Sequence, residues 1–224
     1  MNLAKSFEFF DPSICKGRIH IIGCGSVGST VAELLARFGL TDFTLYDFDT
    51  VEPHNVVNQM FTSKHLHRPK VEALRDILIE INPEIESKIK LQPRGWIDQT
   101  LDGYVFLAVD NIELRRKIVE ENLYNPSVKG MFDFRTGLTD AQHYAADWTD
   151  IRSKKAFLDT MKFSHEDAAA NTPMSACNVS LCVAPTVRLT ANVGVVNFIN
   201  FVKGKHLYKQ IPTDAFSFTI DAIG

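Results

Sequence analysis

The sequence predicts an α/β protein in which helices cover both faces of a mostly parallel sheet, with an antiparallel extension in the second half. Two observations support this fold class. Short β-branched or apolar runs alternate with segments of helical spacing, a pattern typical of parallel strands linked by helices. The first such run, Arg18–Ile22, leads directly into a glycine cluster, as a buried strand does where it turns into a helix.

The residues after this strand complete a strand–helix–strand unit. Apolar residues recur at helical spacing over Ser29–Phe38, and Gly39 ends the predicted helix. The run Phe43–Phe48 is predicted as the second strand. A strand, a glycine turn, a helix and a strand in this order form a βαβ unit.

Four more elements continue the alternation. Lys70–Ile81 has helical spacing and is ended by the Asn82-Pro83 step. Ile89–Gln92 is a short predicted strand. Tyr104–Val109 is nearly all apolar, as expected for a central parallel strand that is covered on both faces, and Glu113–Leu123 is the helix after it.

The second half is predicted to extend the sheet. Gly130–Phe134 and Ala141–Ala146 are strands joined by a turn, whereas 151–173 is polar and irregular and is interpreted as a crossover loop or lid. The apolar stretch Thr186–Val202 predicts a buried helix, and Phe216–Ile220 a last strand.

Length and composition limit the possible functions. The 224 residues are expected to form one domain, 1–224. The 24 basic residues do not exceed the 27 acidic ones, so we expect no nucleic-acid partner. No apolar stretch approaches the roughly 20 residues of a membrane span, so we expect a cytoplasmic protein with no membrane partner. The four cysteines form no CxxC pair, and neither disulfides nor structural zinc is expected.

A glycine motif directly follows the first predicted strand. Gly23, Gly25 and Gly28 fit GxGxxG, in which the first glycine makes the turn, the second admits a phosphate and the third lets helix and strand pack closely. The helix that follows directs its N-terminus at the anion. Asp47 ends the next strand, where an acidic side chain binds ribose hydroxyls. These residues predict a three-layer, Rossmann-like nucleotide-binding fold, and they leave both ATP and NAD open.

Further segments match a known family in order. The match comprises Asp47–Glu52, Asn55, Asn58–Phe61, Arg68–Ala73, Ile81–Pro83 and Asp110-Asn111. Together with the glycine loop they resemble the adenylylating core of the ThiF/MoeB type, the family that includes the ubiquitin-activating enzymes. The segment Phe132–Gly137 and the late cysteine segment before the last helix resemble the same family more loosely.

The resemblance implies an adenylyltransferase that uses ATP and Mg²⁺. In this family a carboxylate, usually the C-terminus of a ubiquitin-like or other β-grasp carrier protein, attacks the α-phosphate and releases pyrophosphate; a small carboxylate substrate is the other possibility. Lys70 is implied as the phosphate-binding catalytic lysine and Asp110 as the catalytic aspartate that holds magnesium. The implied nucleotide-binding residues also include Asp49, Asn55, Asn58 and Asn111. The family further suggests a homodimer.

Each of these roles has a structural alternative. Lys70 is also a plausible solvated lysine at a helix start, and Asp110 a helix N-cap with Glu113 at the third position. Asp49 and Asn55 are equally compatible with turns that stabilise a loop. Some family members use a late cysteine as a thiol nucleophile, which implicates Cys177, but cysteine is also commonly a small buried apolar residue. Arg115 and Arg135 are candidates either for phosphates or for the sheet rim.

Two departures from the family weaken the inference of activity. Asn58 stands where the family motif NxxRQ has an arginine that meets the phosphates, and Met1–Lys16 lacks the family's N-terminal arginine segment. Arg68 is the candidate to compensate. Three functions therefore stay open: an ATP-dependent adenylyltransferase, a catalytically impaired scaffold or partner subunit, and an NAD-dependent oxidoreductase.

Overall fold

A single mixed sheet forms the centre of the molecule. The computed structural model describes residues 1–164 and 181–224, whose strands are β1 (Ile19–Ile22), β2 (Phe43–Tyr46), β3 (Lys90–Gln92), β4 (Gly103–Leu107), β5 (Val128–Thr136), β6 (Asp140–Asp147), β7 (Gln210–Asp214) and β8 (Thr219–Ile220). They are ordered β3-β2-β1-β4-β5-β6-β7-β8.

The two halves of this sheet differ in strand direction. The five strands from β3 to β5 are parallel to their neighbours, whereas β5 to β8 pair in antiparallel fashion. The predicted fold class is thus confirmed. Strand order reverses between β1 and β4, so the helices that follow these two strands leave on opposite faces and open a crevice at the carboxyl ends of the strands.

Helices cover both faces, as predicted. They are α1 (Ser26–Arg37), α2 (Lys70–Ile81), α3 (Ile112–Glu121), α4 (Ile151–Asp159) and α5 (Ala184–Val202). The first two and α5 share one apolar core with the sheet, and α3 and α4 share the other. Within the described ranges, no helix has both the length and the apolar character that crossing a bilayer requires.

An aromatic cluster holds α5 against the centre of the sheet. The Phe106 and Phe132 rings stack with their centroids 5.0 Å apart, and Phe198 of α5 meets both edge-on at 5.2 and 5.3 Å. A Cβ on Gly194 would overlap the Phe134 ring, so a glycine is needed where α5 approaches the sheet. These contacts hold the second half of α5 against β4 and β5.

Two of the predicted elements differ from the structure. The loop expected over 151–173 begins instead with α4, which Asp150 caps by accepting from the Arg152 amide at 2.9 Å; the rest of that range, from 165 on, lies outside the described residues. The expected strand Phe216–Ile220 is wrong over Phe216–Phe218, because the Asp214 carboxylate accepts from the Phe216 and Ser217 amides and bends the chain into a turn between β7 and β8.

A fully buried histidine links β5, β6 and α5. Nδ1 of His143 donates to the Asp133 carbonyl at 3.1 Å, and Nε2 accepts from the Asn197 amide nitrogen at 3.2 Å. Asn197 in turn pairs with the backbone of Tyr208. Burial lowers the pKa of His143 to about 3, so its ring is neutral in the folded protein.

This histidine makes the stability of the fold depend on pH. The unfolded chain binds a proton on His143 near pH 6.5 and the folded chain near 3, so the free energy of unfolding falls by about 1.4 kcal/mol per pH unit as pH drops between these values. Urea unfolding of the wild type and of His143→Gln at pH 7.5 and 5 measures this effect. We expect the stability advantage of the wild type to shrink by about 2 kcal/mol at pH 5; parallel pH curves would contradict the assignment.

Candidate functional site

The carboxyl ends of β1, β2 and β4 bring the predicted site residues to one edge of the sheet. Ile22 pairs with Tyr46 on one side and with Leu107 on the other. The residues that follow these three strand ends include the glycine loop, Asp47 and Asp110. Parallel pairing therefore assembles, from three distant parts of the chain, a site in the position where α/β sheets bind ligands.

Close backbone contacts fix the glycine loop. Gly23 has φ of +94°, and a Cβ there would lie 2.7 Å from the Ala108 carbonyl oxygen. A Cβ on Gly28 would overlap the carbonyl oxygen of Gly23. Both positions therefore exclude a side chain, and they hold the start of α1 against the ends of β1 and β4.

The space above Gly25 is open. A Cβ on this residue would meet no atom within 4 Å. Gly25 is the N-cap of α1 and offers no side-chain cap, so the first amides of the helix lack a side-chain acceptor. Open space in front of unpaired helical amides is a suitable approach for an anion.

Asp47 ties the second strand to the glycine loop. Its carboxylate accepts from the Cys24 amide at 2.6 Å and from the Asp49 amide at 2.9 Å. Burial raises the pKa of Asp47, against the lowering effect of Lys70 and of these two amides. The Cys24 side chain lies in the core, and burial raises its pKa well above the usual value, so its thiol is a poor nucleophile.

Lys70 and Asp49 form an ion pair in front of the loop. Lys70 Nζ lies 2.7 Å from Asp49 Oδ2, and the exposed fractions of the two side chains are 9% and 50%. The Lys70 amide also donates to the Asp49 carbonyl at 2.9 Å. Lys70 is thus a nearly buried cation that begins α2, not the solvated lysine of the structural alternative.

Asp110 and Asn111 divide two tasks at the end of β4. Asn111 is the N-cap of α3 and accepts from the Leu114 amide at 2.7 Å, so the structural alternative in which Asp110 caps this helix is wrong. Asp110 is exposed, and its carboxylate makes no hydrogen bond or ion pair with residues 1–164 or 181–224. It is therefore available to a ligand.

Arg115 and Arg135 are both held by one buried aspartate. Arg115 pairs with Asp133 and donates to the carbonyls of Leu107 and Val109, directly before Asp110. Arg135 donates to the other oxygen of Asp133 at 2.7 Å and to the Thr160 carbonyl at 2.8 Å. Burial lowers the pKa of Arg115 to about 9 and that of Arg135 to about 10. In this arrangement both guanidinium groups stabilise the rim of the sheet.

The loop after β2 uses its asparagines for backbone contacts. Asn55 Oδ1 accepts from the Glu52 amide at 2.9 Å, which builds the turn at Pro53–Val57. Asn58 Nδ2 donates to the Cys182 carbonyl at 3.0 Å. Arg68, the candidate to compensate for the missing arginine, pairs with Asp76 at 2.6 Å.

Two further residues stand at the site without having been predicted there. Phe48 lies between Asp47 and Asp49 and is 75% exposed, although its apolar character made it part of the predicted strand. The sequence signal that could have placed Phe48 at the site is its position directly after the end of the strand. Arg188 of α5 contacts Thr30 of α1 and Met60, and no sequence pattern indicates this long-range approach. Cys177 lies outside the described residues.

The arrangement fits a divalent cation that is shared with a ligand. Within the described residues, no three side chains of His, Cys, Asp or Glu form a metal-binding group. Mg²⁺, however, commonly uses one or two carboxylates together with waters and substrate phosphates. The carboxylate of Asp110, which has no partner in the part of the chain that the structure describes, fits that donor set.

Sequence comparison places most of the chain in one family. The profile described as ThiF family matches residues 12–223. The ubiquitin-like modifier-activating enzyme 5 of Caenorhabditis briggsae is 38% identical over 89 residues, which are 40% of this chain and 20% of that protein. The molybdopterin-synthase adenylyltransferase of Escherichia coli K12 is 36% identical over 85 residues, 37% of this chain and 34% of that protein. These matches thus span 20% and 34% of the two relatives.

Structural comparison shows the same fold. The crystal structure of E. coli MccB with succinimide superposes with a TM-score of 0.68 at 16% identity, over 94% of this chain and 65% of that one. The structure of E. coli MccB with ATP gives a TM-score of 0.66 at 17% identity, over 94% and 64% of the two chains.

Substitution by alanine should destabilise the fold at Gly28 but not at Gly25. Gly28→Ala places a Cβ against a rigid backbone carbonyl and should lower the free energy of unfolding by about 1–3 kcal/mol. Gly25→Ala points into open space and should change stability by less than about 1 kcal/mol. Urea unfolding of both variants checks the difference. Equal stability of Gly28→Ala and the wild type would contradict the packing described above.

Proposed function

The chain belongs to the ThiF family, and from this we propose that it is an ATP- and magnesium-dependent adenylyltransferase that activates a carboxylate. The observation that carries the proposal is the edge where β1, β2 and β4 end. The same edge carries an open glycine loop, the carboxylate of Asp110, which has no partner among the described residues, and the cation Lys70 on α2. Polyphosphate and magnesium together need these three components.

The nucleotide would lie along this edge. In the proposal Asp47 accepts hydrogen bonds from the ribose hydroxyls, and the exposed ring of Phe48 beside it stacks on the base. The phosphates approach the amides at Gly25. Asp49, Asn55, Asn58 and Asn111 then act indirectly: the first positions Lys70, and the asparagines hold the surrounding backbone.

The reaction is a displacement at the α-phosphorus. A carboxylate oxygen of the acceptor attacks this phosphorus, the bond to the bridging oxygen breaks, and the electron pair leaves with pyrophosphate. Lys70 would shift from Asp49 to the phosphates and offset their charge. Asp110 would hold Mg²⁺, which supplies further charge neutralisation when bound. The contribution of the protein is mainly orientation and electrostatics.

The proposed acceptor is the C-terminus of a ubiquitin-like carrier protein or a small carboxylate. The names of the relatives above support the first class, since one is a ubiquitin-like modifier-activating enzyme and another a molybdopterin-synthase adenylyltransferase. Transfer of the activated carboxylate to the Cys177 thiol stays a prediction from the family resemblance.

Nucleotide binding gives the first test. ATP with magnesium, at ~100 times its dissociation constant, should add about 2.7 kcal/mol to the free energy of unfolding, whereas NAD should add nothing. Asp110→Asn should fold normally and bind ATP·Mg at least roughly tenfold more weakly, because a metal ligand is lost. Urea unfolding with and without ATP·Mg or NAD measures the first effect, and calorimetric titration with ATP, with magnesium or with EDTA, measures the second.

The matched control is Asp102→Asn, which changes a carboxylate at the opposite end of β4 and should leave ATP affinity intact. Equal ATP·Mg affinity of the Asp110→Asn and wild-type proteins would remove the assignment of Asp110. Failure of the wild type to bind ATP would favour the scaffold function, which the asparagine at position 58 also supports.

A homodimer is part of the same proposal and rests on the family resemblance. Sedimentation velocity at micromolar concentrations should give a species of about twice the 25.2 kDa chain mass. A monomer at all concentrations, with ATP binding intact, would contradict the dimer and leave the proposed chemistry in place.

A further inference from the structure

The guanidinium of Arg188 lies beside α1. Arg188 Nη1 donates to Oγ1 of Thr30 at 2.8 Å, and the same nitrogen contacts the sulfur of Met60. No carboxylate of residues 1–164 or 181–224 forms an ion pair with Arg188. The side chain is half-buried. Within the described ranges its positive charge is therefore not neutralised by a carboxylate, and part of the side chain is accessible to solvent.

The position of Arg188 relates it to the glycine loop. Thr30 Oγ1 donates to the carbonyl of Ser26, the first residue of α1, at 2.8 Å. Four residues of helix rise by about 6 Å, so Arg188 lies roughly one turn from the helix start. Met60 is held to the same turn, since its amide donates to Ser29 Oγ at 3.2 Å. A long, flexible side chain at this distance can turn toward the start of α1.

Among the described residues, four other cations near the site are paired with carboxylates. Lys70 lies against Asp49, and Arg68 against Asp76. Asp133 holds both Arg115 and Arg135. Asp47 and Asp110 add negative charge at the same edge. A polyphosphate at the glycine loop thus meets few available positive charges, and Arg188 is an available one.

We propose that Arg188 binds the phosphates of the nucleotide. On binding, its guanidinium leaves Thr30 and Met60 and donates to phosphate oxygens instead. The inference rests on the proposed function and specifies a residue of that site. Guanidinium donors match phosphate oxygens in a two-point contact, which a hydroxyl and a thioether do not offer. Asn58, two residues before Met60, directs its amide to the Cys182 carbonyl, so Arg188 supplies the charge on this side of the loop.

The test compares ligands that differ only in their phosphates. Arg188→Gln should weaken ATP·Mg binding by about 10- to 100-fold and change adenosine binding by less than about 2-fold, because adenosine lacks phosphates. Adding Asn58→Arg to this variant should recover most of the ATP affinity from the neighbouring position. Arg152→Gln, at an exposed position of α4 on the other face of the sheet, is the matched control and should change neither affinity.

The outcomes separate this inference from the proposed function. Undiminished ATP affinity in Arg188→Gln, or an equal loss for ATP and adenosine, would overturn the role of Arg188 alone. Failure of the wild-type protein to bind ATP would overturn both.

A second measurement uses the unmodified chain and does not depend on the folding of a variant. Phenylglyoxal modifies arginine side chains, and mass spectrometry locates the modified sites. ATP·Mg should slow modification of Arg188 at least roughly tenfold while leaving Arg152 unaffected, and adenosine should protect neither. Modification of Arg188 at the same rate with and without saturating ATP would overturn the inference.

Discussion

The contact between Gly28 and the carbonyl of Gly23 is the constraint on which the site depends. It lets the start of α1 lie directly against the end of β1, so the first helical amides face the edge where β2 and β4 also end. Any side chain at Gly28 would push the helix away from that edge. The open space over Gly25, the bond from Cys24 to Asp47 and the approach of Arg188 to Thr30 all presuppose this packing.

Buried charges near the strand ends also hold the site in place. Asp133 is completely buried, and removal of either arginine would leave part of its charge without a partner. Through Arg115 it also anchors the carbonyls of Leu107 and Val109, so the backbone that carries Asp110 is held from within the sheet. The Lys70–Asp49 pair holds a nearly buried cation beside the glycine loop. Buried pairs thus position the groups that remain free, and the free groups are those a ligand would meet.

The elements with strong local signals were predictable. Helix α2 begins and ends as the spacing and the Asn82-Pro83 step indicate, and the parallel strands agree to within a few residues. The site was predictable as a set of strand ends, because each candidate follows a short apolar run. The helix α4 was missed, since its buried positions include Ser153 and Lys154, which do not form an apolar stripe. The turn at Phe216 was missed because its apolar residues indicated a buried strand. In the structure the Asp214 carboxylate accepts from the Phe216 amide, and the apolar side chains of the turn are exposed.

The sequence by itself determined the family, the fold class and the group of residues at the carboxyl edge, since these follow from local patterns and motif spacing. Tertiary structure alone decided which charged side chains are paired with another side chain and which, among the described residues, have no such partner. Asp110 and Asn111 are adjacent in sequence, yet Asn111 caps a helix and Asp110 is exposed to solvent. Arg68, Arg115 and Arg135 were equal candidates for phosphate until their carboxylate partners were known. The approach of Arg188 to α1 crosses 158 positions of the chain. No local pattern encodes such a contact, because it depends on how two helices pack on one face of the sheet.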